Sequence, residues 1–311
     1  MDKMITAIDK YRKSHDGITK YLGETKSNRF FSNAVPLLKK YNEIWQLADI
    51  SLMLTHTINL LFSCDSALYG PCVLKICIPG PEVATEINCL RAYDGQGYVK
   101  LWDYSLTNDV LLVERVVPGT QMWDVKDYKV RARLMAERIK DLSFITCGQG
   151  SYPTYRTWME GIHKKLTNMG GMEDPLFYLN EALGIYDELK QSYNRSCLLH
   201  GDMHQENLLV NEQGGYTIID PKGVVDDPVM ETARFLLNET PCEKEKILEM
   251  TAIMSPIIGV SETDMLKSMY IDAALGNCWT FEEHFHTQEA FEKSKRDVLE
   301  YLGFVYGLIK T

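Results

Sequence analysis

The stretch CLLHGDMHQENLLVNEQGGYTIIDPKG, residues 197–223, decides how this chain is read. It sets His200, His204, Asp202, Asp220 and several amides between apolar runs. Polar groups beside buried strands need partners once they leave water, so such a cluster is either a site or a solvated turn. "CLLHGD" reads as a buried strand ending in a loop, and "NLLV" and "YTIID" as two short strands. "NEQGG" between them is a turn whose glycines supply positive φ. A hairpin of this register brings Asn207, at the start of one strand, and Asp220, at the end of the next, out on one side beside Asp202.

That arrangement carries a chemistry. Asp202 is free to act as a base, while the amide oxygen of Asn207 and the carboxylate of Asp220 can share a divalent metal. Oxygen-only ligands at a partly open site suit magnesium. The five-residue step from Asp202 to Asn207 is the spacing from base to metal ligand in a kinase catalytic loop. A kinase further requires a strand lysine paired to a helix glutamate. "CVLKICI" offers Lys75, and the amphipathic "PEVATEINCLRAYDG" offers Glu86. Alone, a lysine flanked by Val73, Leu74 and Ile76 would usually face solvent; five polar residues in the order the reaction needs argue otherwise.

"HGDMHQEN" followed by "IIDPKG" resembles the aminoglycoside phosphotransferase family, whose signature is H-G-D-x-H-x-x-N with a metal aspartate on the next hairpin. The D-P-K-G wording, with "EINCLRAYDGQGYVKLWDYS", "LLVERVVPG" and "ALGNCWTFEEH", is similar to its streptomycin 6-kinase and hydroxyurea phosphotransferase branch, from about Leu47 to Phe285. The resemblance implies a protein-kinase-like α+β fold: a small N-terminal lobe with an antiparallel sheet and one helix, then a larger, mostly helical C-terminal lobe. It implies ATP, with GTP left open, and Mg²⁺. Asp202 would be the catalytic base, Asn207 and Asp220 would hold the metal, and Lys75, paired with Glu86, would contact the α/β-phosphates. Backbone groups near Glu114 and Val116 would hydrogen-bond the adenine, and His200 and His204 would brace the loop. Two departures stand out. Met53 to Ser63, where a phosphate-covering loop is expected, has no glycine, and Glu231 stands where the branch tends to have aspartate.

Along the chain, 1–117 reads as the N-terminal lobe, with a helical extension over 1–46 and then the nucleotide-binding sheet. Three β-favouring runs fill "LADISLMLTHTINLLFSCDSALYGPCVLKICI", and two more are "YVKLWDYS" and "DVLLVERVV", ended by Pro118-Gly119. Residues 118–311 read as the helical lobe with the catalytic loop and acceptor site. The net charge of −10 argues against nucleic acid and would suit a cationic small molecule. No N-terminal h-region or apolar run of about 18 residues occurs, which points to a cytoplasmic protein with no membrane partner. Eight cysteines without a C-x-x-C pair fit reduced thiols. Oligomeric state is not legible.

Gly95-Gln-Gly97 and Gly148-Gln-Gly150 lack the third glycine of a dinucleotide fingerprint and read as turns. Asp226 and Asp227, with Glu282 and Glu283 after Trp279, are candidates to line a pocket for a cationic acceptor, with Trp279 and Phe281 stacking on its ring. Two other functions can be drawn. A metallohydrolase would use His200, Asp202 and His204 with His284 and His286, leaving Lys75, Glu86, Asn207 and Asp220 without roles. A degenerate kinase would bind a ligand without turnover, as the glycine-free loop suggests.

Overall fold

The computed structural model describes the chain apart from residues 1, 15–16, 55–57, 148–151, 240–241, 283–284, 286 and 311. Two compact units divide between Val117 and Pro118.

In the first unit, helices α1 (Asp2–Ser14), α2 (Gly17–Leu22) and α3 (Glu24–Ile44) lead into strands β1 (Leu47–Leu52), β2 (Leu60–Ser66) and β3 (Gly70–Ile76). Helix α4 (Pro81–Tyr93) follows, then β4 (Leu101–Ser105) and β5 (Val110–Glu114). The strands form one antiparallel sheet in the order β1-β2-β3-β5-β4. Its two faces are used differently. Leu60, Phe62, Cys64, Leu74, Ile76 and Leu112 share a core with Ile8, Phe30, Ala34, Leu38 and Tyr41 of the leading helices. The helical extension is therefore the cover of one sheet face, fastened by Trp45 Nε1 donating to Asp103 Oδ2 at 2.7 Å. Side chains alternate along a strand, so Lys75, between Leu74 and Ile76, belongs to the other face. Helix α4 begins with proline in its first turn and ends at Asp94, with Gly95 and Gly97 at positive φ, which makes Gly95-Gln-Gly97 a turn.

The second unit begins with β6 (Pro118–Gln121) and continues through α5 (Tyr128–Asp141), α6 (Tyr155–Met169) and α7 (Glu173–Leu189). Then come β7 (Cys197–Leu199), β8 (Leu208–Asn211), β9 (Tyr216–Ile218) and β10 (Val224–Asp226), and finally α8 (Ala233–Glu239), α9 (Lys244–Ile258), α10 (Glu262–Trp279) and α11 (Gln288–Ile309). Helix α10 is the central one, with Met265, Met269, Tyr270, Ile271, Ala274 and Leu275 all buried. A helix buried on most sides reads apolar all round, which makes a carboxylate within it conspicuous.

Three elements differ from the sequence reading. Strand β2 already begins at Leu60, so the glycine-free connection is 53–59, shorter than expected; residues 55–57 lie outside the described part. Pro118 opens a strand instead of ending one: β6 pairs with β8 at the edge of a three-stranded sheet, where a missing N–H is tolerated. "VVD" at 224–226 forms β10, paired antiparallel with β7, where an acidic turn was expected. Gly148-Gln-Gly150 lies outside the described residues. The cysteines are free, and six of the eight are buried. Among the described residues no helix is long and apolar enough to cross a membrane.

Candidate functional site

The loop after β7 is held from inside. His200 is fully buried. The Asp202 N–H donates to its Nδ1 at 3.0 Å, so Nε2 carries the hydrogen donated to the Ile219 carbonyl at 2.8 Å. Burial pushes the imidazole pKa down to about 4. Neither ring nitrogen has a lone pair left for a metal, which removes the metallohydrolase reading. Gly201 sits at φ +77°, and a Cβ there would lie 2.7 Å from Val224 Cγ1 and 3.3 Å from Trp158. Its N–H donates to Glu231 Oε1 at 3.0 Å. Burial first, with Asp272 and Asp202 adding to it, pushes the Glu231 carboxyl up to about 8.

Asp202 faces outward from this support, with about a quarter of its side chain exposed, and Arg234 Nε lies 3.2 Å from its Oδ1. Burial pushes its pKa up, but Arg234, Lys222 and the two histidines outweigh that and hold it below the ordinary carboxylate value. Asn207 Nδ2 donates to the Asp202 carbonyl at 3.0 Å and lies 3.2 Å from His204 Nε2, which leaves its amide oxygen for another partner. His204 also caps the 3-10 turn Gln205–Asn207, accepting from the Glu206 N–H. Across the hairpin Leu208 pairs with Ile218, and the Asn207 carbonyl accepts from the Ile219 N–H at 3.0 Å. Asp220 is the next residue, at φ +58°, a left-handed conformation that costs an aspartate about 1 kcal/mol. Strain of this kind gathers at sites where a side chain must be aimed. An amide oxygen beside a half-buried carboxylate fits Mg²⁺, which takes few protein ligands and keeps waters or substrate phosphates. Among the described residues no three His, Cys, Asp or Glu side chains converge as a metal-ligand group.

In the first unit Lys75 Nζ lies 2.7 and 2.8 Å from the two carboxylate oxygens of Glu86, and both residues are buried. Their pairing is intact on β3 and α4. Glu114 closes β5, its N–H donating to the Lys100 carbonyl at 2.8 Å and its carboxylate accepting from the Lys100 N–H at 3.3 Å. Val116, two residues on, is half-buried.

The expected acceptor residues fare differently. Asp226 accepts from the Tyr186 hydroxyl at 2.7 Å and from Lys190 at 2.8 Å. Asp227 accepts from the Arg195 and Val229 N–H groups, each at 3.0 Å. Both are 2% exposed, because β10 turns the segment inward, so these carboxylates serve the fold and present nothing to an acceptor. Phe281 is buried against Phe291, and Trp279 packs edge-on against Trp158 at 5.4 Å. The Glu282 side chain, Glu283, His284 and His286 lie outside the described residues.

The structure adds two residues that the motifs do not name. Asp272 of α10 is 1% exposed, and Arg234 of α8 joins it to Asp202: Nε is 3.0 Å and Nη2 3.1 Å from its carboxylate. Burial pushes Asp272 up to about 6 against the pull of Arg234. Gly276, one turn along α10, leaves the room that guanidinium occupies, since a Cβ there would meet it at 3.3 Å. A legible signal existed, for the aspartate in "MYIDAALG" interrupts an apolar helix and must have a buried partner.

A family model described as aminoglycoside/hydroxyurea antibiotic resistance kinase matches residues 45–283. The chain belongs to that family. The match begins after the extension helices α1 to α3. A hydroxyurea phosphotransferase of Kitasatospora aureofaciens is 25% identical over 170 residues, 53% of this chain and 49% of the relative. A streptomycin 6-kinase of Streptomyces griseus is 25% identical over 158 residues, 50% of this chain and 51% of the relative. The chain thus spans about half the length of the curated relatives it matches. Among solved structures, the choline kinase LicA of Streptococcus pneumoniae is similar with a TM-score of 0.63 at 15% identity, covering 88% of this chain and 99% of that one. An aminoglycoside phosphotransferase solved with ADP and hygromycin B gives 0.57 at 14% identity, covering 88% and 97%. These likenesses establish the protein-kinase-like fold.

Proposed function

We propose that this member of the family transfers the γ-phosphoryl group of ATP to a hydroxyl of a small molecule. The observation that carries the reading is the single loop and hairpin that present Asp202, the Asn207 amide oxygen and Asp220 together, each fixed by its own backbone. Asp202 would accept the acceptor's hydroxyl proton; its lowered pKa keeps it ionised for that task at neutral pH, and such general-base help is typically worth about 10²- to 10⁴-fold. Asn207 and Asp220 would hold Mg²⁺, which supplies charge neutralisation at the nucleotide phosphates. Lys75, fixed by Glu86, would bind the α/β-phosphates, and backbone groups near Glu114 and Val116 would bind the adenine. A cationic, aminoglycoside-like acceptor such as streptomycin rested on acidic residues of which Asp226 and Asp227 are now occupied internally. The relatives' printed activities support the reaction class and leave the acceptor to be found.

The test is Mg²⁺-dependent ATP consumption by the purified chain over a panel of hydroxyl-bearing acceptors. Turnover with one acceptor that vanishes in Asp202→Asn, with ATP binding retained, is the expected result. Full activity in Asp202→Asn would remove the base from the scheme. ATP binding without turnover on any acceptor would favour the ligand-binding alternative.

A further inference from the structure

A second cavity-bearing surface adjoins the loop. Arg234 and Asn238 of α8, Asp272, Gly276 and Asn277 of α10, and Tyr301 of α11 line a cavity of about 250 Å³ within the second unit. Arg234 belongs to both places, touching Asp202 and lining the cavity. A molecule in the cavity would therefore lie one side chain away from the candidate base. The lining contains a polar set with capacity to spare. Asn277 Nδ2 donates to the Ala273 carbonyl within its own helix, which leaves its amide oxygen open. Asn238 is exposed on α8, and Tyr301 brings a half-buried phenol. The charges, in contrast, are matched: the guanidinium of Arg234 and the carboxylate of Asp272 already hold each other.

Taking the phosphotransferase reading as its basis, we infer that this cavity is the acceptor subsite and that it takes a polyol or amino alcohol of about monosaccharide size, neutral or singly charged. Two observations carry this. The volume falls below the roughly 300–1,000 Å³ of pockets that enclose drug-sized ligands, so a three-ring aminoglycoside does not fit inside. The wall offers amide and phenol groups and one self-paired ion pair, not the unpaired carboxylates that a polycation needs. Donors and acceptors of this kind recognise hydroxyls, and a hydroxyl pointed at Arg234 would also point toward Asp202. In the transfer the acceptor oxygen forms the bond to the γ-phosphorus, the bond from that phosphorus to the ADP oxygen breaks, and the hydroxyl proton passes to Asp202.

The experiment compares glucosamine, myo-inositol, serinol and choline with streptomycin as acceptors for the full chain. ATP consumption and the phosphorylated product are both measured, the latter by mass spectrometry. Asn238→Trp, at an exposed position, narrows the cavity, and Tyr301→Phe removes the phenol oxygen. At least one small acceptor should be phosphorylated with kcat/KM ten-fold or more above streptomycin. Asn238→Trp should raise its KM at least ten-fold, and Tyr301→Phe several-fold, while KM for ATP stays unchanged in both. Streptomycin turnover at least as efficient as that of every small acceptor, unaffected by Asn238→Trp, would overturn the subsite and leave the phosphotransferase reading standing. Phosphorylation of a small acceptor with both variants unchanged would also overturn the subsite. ATP bound but no acceptor phosphorylated would overturn both readings together.

Discussion

Glu231 gives the sharpest test of how the loop is held. It is 2% exposed, and its carboxylate receives the Gly201 N–H from the middle of the candidate catalytic loop. Its folded pKa, pushed up to about 8 by burial, lies well above the ordinary glutamate value of 4.5. The folded protein therefore keeps a proton that the unfolded chain releases. The stabilising contribution is complete below about pH 4.5 and is lost as pH rises, at about 1.4 kcal/mol per unit, until it levels off near pH 8. By pH 7 it has fallen by about 3 kcal/mol.

Glu231→Gln keeps the shape and an acceptor oxygen for Gly201 but removes the titration. Urea unfolding of both proteins from pH 5 to pH 8, read by tryptophan fluorescence, gives the stability difference at each pH. Taking the difference cancels other titrations, such as that of His200, whose lowered pKa acts in the opposite direction and at lower pH. The variant should gain on the wild type by about 3 kcal/mol across that range. A difference that stays constant with pH would show that Glu231 is ionised in the folded state and that its burial is offset by bonds other than the one to Gly201.

Gly201→Ala combines a positive φ with a Cβ 2.7 Å from Val224 Cγ1, so its urea midpoint should fall by an amount equivalent to about 2–5 kcal/mol. Glu86→Ala strands the buried Lys75 ammonium and should destabilise by about 3–5 kcal/mol, whereas Lys75→Met with Glu86→Leu should recover most of that loss in stability without restoring nucleotide binding by calorimetry. Glu239 accepts from Arg131 and from Gln205, so Gln205→Ala and Glu239→Gln should couple by about 0.5–3 kcal/mol in a double-mutant cycle; simple additivity would show that the loop is not anchored there.

Much of the site was legible because its chemistry and local folding share one short segment. The spacing of Asp202, Asn207 and Asp220 follows from a strand, a turn and a hairpin whose register neighbouring residues set. Lys75 and Glu86 were legible because a strand and the next helix are close in sequence. What escaped depended on long-range pairing. Asp226 and Asp227 look like an acidic turn until β10 pairs with β7, some 27 residues earlier, and carries both inward. Arg234 and Asp272 meet across 38 positions, and only the burial of α10 makes their pairing obligatory. The extension helices were expected as an appendage, yet their apolar residues close one face of the sheet, a role set by tertiary packing.

The polar residues of the 197–234 region divide by what satisfies them, and that division separates scaffold from chemistry. His200, Gln205, Asp226, Asp227 and Glu231 are buried, and each has at least one partner within the second unit. Each of those partners fixes a backbone segment: the hairpin, α8, α7, or the loop itself. Asp202 keeps a quarter of its side chain exposed, and Asn207 keeps its amide oxygen after its nitrogen is used. A buried network that is fully satisfied rigidifies whatever it surrounds. The cost of ordering this loop is thus met in folding, and its remaining oxygens are left aimed outward before any ligand arrives. Arg234 is the one residue that crosses this boundary, because Asp272 anchors it from inside while it touches Asp202. A substitution there would disturb scaffold and chemistry together, and for that reason Asn238 and Tyr301, which sit only on the cavity side, are the residues that can tell acceptor binding apart from the integrity of the loop.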